Sequence, residues 1–234
     1  QQLVQAMILI DRGMPIIHIL QTSQRNSLVL VSRTDTLRTL EDLKGKKVGI
    51  WKAGFGDLAY IMDTEKELDI EWVPYLENLF LSGAIDATLA MDYNEYQKIR
   101  VSGHEDKPVI RFSDTEYDFP EDGVYVSADF YQQYPDKVKA FAEASRKGWE
   151  WAHEHPDETL DIVMKWVEKE NVHTNRIHQK WMLEKILDLQ YMDGENKPSF
   201  QLYSEKVDRL NELLLKHRRI HRPINLETLK GGMP

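Results

Sequence analysis

Apolar residues recur at helical spacing from the start of the chain, with Leu3, Ala6, Met7 and Ile10 on one face. That helix should stop near Gly13, whose missing Cβ permits a left-handed cap, and Pro15 then opens an extended apolar run over residues 16–20. A polar loop over 21–27 leads into Leu28, Val29, Leu30 and Val31, a continuous apolar run of the kind found in strands buried on both faces. Residues 39–44 read as a short helical turn stopped by Gly45, followed by a strand over 48–51. The glycine-rich corner at 52–57 comes next, and the apolar residues of 58–62 predict a helix directly after it. A further strand over 70–74, a helix around 76–82 stopped by Gly83, and a strand over 87–91 complete the series. Polar residues cluster just past each apolar strand, where open α/β sheets bind their ligands.

The texture changes after Tyr131. Pro135 opens a predicted helix with Val138, Phe141, Ala142, Ser145, Trp149 and Ala152 on one face, and Pro156 opens another with Leu160, Val163, Met164 and Val167 inward. Thr174 is placed to cap a third helix through Trp181 and Leu187, and Ser204 a fourth with Val207, Leu210 and Leu214. The pattern thus predicts an α/β protein with a helical C-terminal portion.

Composition narrows the function classes. Hydrophobic residues make up 41% of the 234 and charged residues 29%, and no apolar run approaches the roughly 18 residues of a membrane span. Thirty Lys+Arg against 39 Asp+Glu give a formal charge of −9, which opposes a broad grip on nucleic acid or an anionic membrane. With no cysteine, disulfides, thiolate nucleophiles and cysteine metal sites are out, and redox chemistry gives no compartment. The helical pattern at the first residues has no capping residue before it, so an N-terminal segment, with any targeting peptide, is expected upstream of this sequence.

Four phrases occur in a telling order: the helix-glycine-strand opening, Asp42-Leu43-Lys44-Gly45-Lys46-Lys47-Val48-Gly49, Gly83-Ala84-Ile85-Asp86-Ala87, and Tyr131-Gln132-Gln133-Tyr134-Pro135-Asp136. In this order they resemble the extracytoplasmic substrate-binding proteins of ABC importers, in the branch that binds sulfonates, nitrate and thiamine-pyrimidine precursors. Tyr93-Asn94-Glu95 and Glu121-Asp122-Gly123 lean towards the pyrimidine subgroup. The resemblance covers essentially the whole chain. It implies a two-lobed periplasmic-binding-protein-like (type II) fold whose lobes close over a ligand, with lobe one at about residues 1–36, lobe two at 37–117, and a return to lobe one with the C-terminal helices over 118–234. Full-length relatives begin with a strand, a helix and a second strand that this sequence lacks.

The candidate ligand residues follow from local chemistry and from that template. At Gly54-Phe55-Gly56-Asp57 the unpaired N–H groups of a helix start can donate to a ligand acceptor, or Asp57 is an ordinary helix cap. Asp57 also counts against a fully anionic ligand, because it would compete for the same positive end. Asn94 offers a donor and an acceptor and Glu95 a carboxylate, a set matched to an aminopyrimidine edge, although a solvated loop would carry the same residues. The resemblance places Tyr93, Asn94 and Glu95 among ligand-contacting positions. Of six tryptophans, Trp149, Trp166 and Trp181 fall on apolar helical stripes and read as core, whereas Trp51, beside the glycine corner, and Phe55 are the aromatic pocket candidates. On the template Gln21, Thr22 and Ser23 face the cleft, against plain turn chemistry. Asp122 and Gly123 lead into a lobe-crossing strand over 124–126 and form the hinge candidate. The eight histidines show no metal-ligand spacing, and the basic run at 216–219 suits a helix C-terminus.

The resemblance therefore implies a monomeric solute-binding protein, periplasmic or extracytoplasmic and open to lipid anchoring, that captures a small polar or heteroaromatic molecule and delivers it to an ABC permease. It implies no catalytic residue, cofactor, metal or nucleic-acid partner. Two alternatives share the fold: a ligand-sensing domain of a receptor or kinase, and a pyridoxal-phosphate-dependent pyrimidine synthase, whose cysteine-rich phrase this sequence lacks.

Overall fold

The computed structural model describes residues 1–51, 56–75, 77–192 and 194–231. In chain order the elements are α1 (Leu3–Asp11), β1 (Ile16–Gln21), β2 (Leu28–Ser32), β3 (Lys47–Ile50), α2 (Asp57–Lys66), β4 (Glu71–Pro74), α3 (Glu77–Leu81), β5 (Ala87–Met91), α4 (Glu95–Ile99), β6 (Val109–Arg111) and β7 (Gly123–Ser127). Helices then follow one another: α5 (Ala128–Gln133), α6 (Pro135–Glu154), α7 (Pro156–Lys169), α8 (Arg176–Asp188), α9 (Ser204–Lys216) and α10 (Leu226–Leu229). Gly13 and Gly45 take positive φ, +89° and +66°, where the pattern placed the stops after the first helix and the turn. No helix among the described residues is long and apolar enough to cross a membrane.

The chain divides into two units. Unit 1 comprises Gln1–Asn26, Phe119–Glu170 and Ile186–Pro234, and unit 2 comprises Ser27–Asp118 and Asn171–Lys185. The first boundary falls at Asn26, not near residue 36, because β2 pairs antiparallel with both β5 and β6 and so belongs to the sheet of unit 2. Residues 171–185, grouped by sequence with the C-terminal helices, also belong to unit 2. There the Trp181 indole donates to the Asp92 carbonyl at 2.8 Å.

Unit 2 is built on a five-stranded sheet in the order β4-β3-β5-β2-β6. β3 runs parallel to β4 and β5, so those three strands end on one edge. All five residues of β2 and of β5 are buried, as their unbroken apolar runs require. Val31, Phe80, Ile85, Tyr96 and Ile99 form the centre of the core, with Trp181 packed against it.

Unit 1 carries a two-stranded antiparallel sheet of β1 and β7, with an irregularity between His18 and Leu20. α1 is apolar nearly all round and buries Leu3, Val4, Ala6, Met7, Ile8 and Ile10, as a helix inside a core must. α9 buries Val207, Leu210 and Leu214 as its stripe predicted, and begins at Ser204 after an extended Tyr203 without a side-chain cap. On α6, Val138 and Ala152 are buried but Phe141 is 57% exposed, and on α7 Trp166 is 55% exposed. These two depart from the inward placement read from their stripes, because helical periodicity reports an apolar face without saying what covers it. α8 starts at Arg176, and Asn175 Oδ1 accepts the His178 N–H at 3.0 Å, the capping bond expected of Thr174.

Candidate functional site

Parallel pairing of β3 and β4 sets Ile50 against Pro74, so Trp51 and Tyr75, each the residue after its strand, arrive side by side. Their rings stack at 4.9 Å with an interplanar angle of 25°, and the Tyr75 N–H donates to the Ile50 carbonyl at 2.7 Å. Both residues are half-buried. Burial raises the Tyr75 hydroxyl pKa above its ordinary value, and the charges of Glu95 and Glu77 push the same way. The charge of Glu95 is thus felt at the Tyr75 hydroxyl.

Tyr93, Asn94 and Glu95 follow β5, the other neighbour of β3, on the same edge. Glu95 Oε2 accepts the Met91 N–H at 3.1 Å and Oε1 accepts from Asn94 Nδ2 at 2.7 Å. His178 Nε2 lies 3.0 Å from Asn94 Oδ1, so a side chain of α8 holds the amide that holds the carboxylate. Burial lowers the His178 pKa, the Lys98 cation lowers it further, and Glu95 opposes both. A carboxylate offers about four acceptor positions and, among the described residues, Glu95 uses two, which leaves it able to accept from a ligand N–H. Beside it, Asp92 is flanked by Arg111 Nη2 and Lys185 Nζ, each at 3.6 Å.

Gly56 is buried where α2 begins, and a Cβ there would stand 2.5 Å from Ile50 Cδ1. Glycine is needed at that point so that the helix can start close against β3. Gly56 occupies the cap position and Asp57 is the first residue of α2, where the helix dipole favours a carboxylate. Gly54 and Phe55 lie outside the described residues.

The remaining candidates are in unit 1. The carbonyl of Asp122 accepts four hydrogen bonds: from Gln21 Nε2 at 2.9 Å, Thr22 Oγ1 at 2.8 Å, Thr22 N–H at 2.9 Å and Ser23 N–H at 3.0 Å. Gln21 is fully buried, its second amide hydrogen goes to the Ser23 carbonyl at 2.8 Å, and its Oε1 meets His18 Nε2 at 3.0 Å. These bonds fasten the loop after β1 to the start of β7. Gly123 has no positive φ. A Cβ there would meet His18 Nε2 at 3.0 Å and Gln21 Oε1 at 3.1 Å, so a side chain at this position would crowd both. Burial raises the Asp122 carboxyl pKa.

Of the residues singled out by sequence, the structure gathers Trp51, Gly56, Asp57, Tyr93, Asn94 and Glu95 at the carboxyl edge of unit 2, and gathers Gln21, Thr22, Ser23, Asp122 and Gly123 in unit 1. Two contributors went unnoticed in the sequence. Tyr75 follows a strand-ending proline and carried only the signal of an aromatic at a strand end, and His178 reaches Asn94 from 84 residues away. Among the described residues no group of three or more acidic or histidine side chains is arranged to hold a metal ion.

The α/β architecture is that of the periplasmic-binding-protein-like folds, as its similarity to solved structures of that class shows. The alkanesulfonate-binding protein SsuA from Xanthomonas axonopodis pv. citri, bound to MOPS, superposes with a TM-score of 0.66 at 12% identity over 94% of this chain and 75% of that one. The desulfurization enzyme DSZB gives a TM-score of 0.63 at 13% identity over 97% and 80%. At such identities the likeness is one of fold. The chain belongs to the NMT1/THI5-like family, whose profile matches residues 3–159. It is 33% identical over 88 residues to the formylaminopyrimidine-binding protein of Halalkalibacterium halodurans, a match spanning 36% of this chain and 26% of that relative's length.

Proposed function

We propose that this chain binds a small heteroaromatic amine of the aminopyrimidine class and serves as the extracytoplasmic solute-binding component of an ABC importer. The observation that carries the reading is local: a Trp51–Tyr75 stack and the Glu95 carboxylate share the carboxyl edge of three parallel strands in unit 2. Flat rings favour contact with another flat ring, worth about 0.5–1.5 kcal/mol beyond area burial. A carboxylate accepts from an exocyclic amino group and stabilises a protonated ring nitrogen, a charge-assisted pairing about twice as strong as a neutral one. A fully anionic ligand fits this edge poorly, since Glu95 and Asp57 would both repel it. Family membership and the relative named as a formylaminopyrimidine-binding protein support the same class.

The test is isothermal titration with 4-aminopyrimidines carrying a 5-aminomethyl or 5-formylaminomethyl group, with an alkanesulfonate and nitrate as comparisons. Saturable heat is expected from the aminopyrimidines alone, and Glu95→Gln should weaken it about tenfold or more, a loss of about 1.4 kcal/mol. Glutamine keeps an acceptor for the Met91 N–H, so the fold should survive the change. Silence of every aminopyrimidine would overturn the reading, and a new product found by mass spectrometry after incubation would replace binding with catalysis.

A further inference from the structure

In unit 2 an open cavity of about 600 Å³ lies between α4 and the start of α8, within the range of about 300–1,000 Å³ usual for small-molecule sites. Gln97, Lys98 and Val101 line one side, and residues 173–175 with Ile177 and His178 line the other. All belong to unit 2, and the cavity is separate from the edge that carries Trp51, Tyr75 and Glu95. Val101 and Ile177 are 74% and 78% exposed, the two most exposed large apolar side chains among the described residues, and both border this one cavity. Apolar surface left in water favours a guest whose own apolar body covers it. Among the described residues no phenylalanine, tyrosine or tryptophan borders the cavity, so its apolar contact is aliphatic and not a stacking platform.

The charge of the lining has one sign. Among the described residues no aspartate or glutamate borders the cavity. Lys98 is exposed and, among the described residues, forms no ion pair, whereas Lys180 and Lys185 of α8 pair with Glu184 and Asp92 at 3.9 and 3.6 Å. Glu95, which precedes Lys98 on α4, directs its oxygens to the Met91 N–H and the Asn94 amide. Burial and then the Lys98 cation lower the His178 pKa, with Glu95 opposing, so the Lys98 charge is felt at a second lining residue. The dipole of α8 adds partial positive charge at the same end of that helix. Thr174 Oγ1 accepts from Gln179 Nε2 at 3.1 Å, which leaves its O–H able to donate. We propose that this cavity binds a small aliphatic carboxylate, with its hydrocarbon body against Val101 and Ile177 and its head group beside Lys98 and the Thr174 hydroxyl. In charge and in shape this guest is the opposite of the flat aromatic amine proposed for the strand edge, so either reading can fail without the other.

The experiment is a proton–nitrogen NMR titration of the whole chain with octanoate. Octylammonium keeps the body and reverses the charge, and acetate keeps the head without the body. Octanoate should shift the backbone amide signals of residues 97–101 and 173–178 saturably, with a dissociation constant of about 1 mM or below. Octylammonium and acetate should each bind about tenfold more weakly or worse, the first for its charge and the second for its missing methylenes. Lys98→Gln should weaken octanoate about threefold, the scale of an exposed charge pair. Ile177→Asp, which puts a carboxylate into the cavity wall, should weaken it about tenfold or more. Both positions are exposed and aspartate suits the first turn of a helix, so unchanged thermal melts can confirm that the variants fold. The proposal fails if the octanoate shifts grow without saturating, if octylammonium or acetate matches octanoate, or if the Ile177→Asp protein binds as tightly as the wild type. Saturable shifts centred on Trp51 and Tyr75 would also overturn it, since the carboxylate would then occupy the strand edge.

Discussion

Replacing His18 with glutamine should remove an acid-sensitive contribution to the stability of unit 1. His18 is 6% exposed in β1, its ring meets Tyr125 edge-on at 5.1 Å, and Nε2 lies 3.0 Å from Gln21 Oε1. Burial penalises the imidazolium and pushes its pKa from 6.5 down to about 4, with the hydrogen bond to Gln21 opposing and the Lys230 cation assisting. The unfolded chain takes up this proton near pH 6.5, so between that pH and about 4 the unfolded state binds more protons than the folded one. Stability is therefore lost as pH falls through this window. At about 1.4 kcal/mol per pH unit, the gap puts about 2 kcal/mol of loss between pH 7.5 and 5, and about 3 kcal/mol at its limit.

Asp122, whose carboxyl pKa is raised by burial, acts in the opposite sense, since the folded state then favours its proton and acid relieves the burial of its charge. It is present in both proteins and drops out of their difference. Because two units need not unfold as one, the loss should be read locally, by urea titration at pH 7.5 and 5.0 with hydrogen-exchange mass spectrometry on peptides from β1 and β7. The wild-type protein should lose about 2 kcal/mol more on acidification than His18→Gln. Equal losses within about 0.5 kcal/mol would show that the buried imidazole is not the titrating group.

Trp181→Ala removes an indole that donates to the Asp92 carbonyl, touches Tyr96 edge-on and lies within 5.0 Å of both Arg100 and Lys185, so unit 2 should lose about 3 kcal/mol in urea denaturation. Asn211 is buried on α9 and its amide binds both the carbonyl and the N–H of the buried Ile224, at 2.6 and 2.8 Å; Asn211→Ala should cost about 2–4 kcal/mol and lower the thermal midpoint, and Asn211→Leu should not restore it. Gly56→Ala places a methyl against Ile50 and should destabilise unit 2 by about 1–3 kcal/mol, read as an earlier chemical-denaturation midpoint.

The order of elements was legible because stops and periods are local properties. Gly13 and Gly45 end the first helix and the turn with the left-handed backbone their type permits, and the unbroken apolar runs of β2 and β5 proved buried throughout. Pairing was less legible. β2 has the same hydrophobic pattern whether it joins one sheet or the other, and it is its pairing with β5 and β6, more than fifty residues on, that assigns it to unit 2. Phe141 and Trp166 show a similar limit, since periodicity aligned them with buried neighbours while the helices α6 and α7 leave them in solvent. At the candidate site, Trp51 was singled out by its place at a strand end, and Asn94 and Glu95 by that place together with the family resemblance. Tyr75 and His178 were not, because each acquires its place through register or through a helix brought back by the fold.

That distinction bears on how the carboxyl edge of unit 2 would work as a recognition surface. Glu95 is not a mobile side chain awaiting a ligand, because the Met91 N–H and the Asn94 amide each fix one of its oxygens. An immobilised carboxylate has already lost the rotamer freedom that binding would otherwise remove, about 0.5–1.5 kcal/mol for a side chain of this kind. The restraint runs further, from Asn94 to His178 on α8, a helix that Trp181 and Lys185 anchor at Asp92. The geometry of the proposed acceptor is therefore set by residues from two distant stretches of the chain. In this arrangement α8 positions the strand-end chemistry through His178.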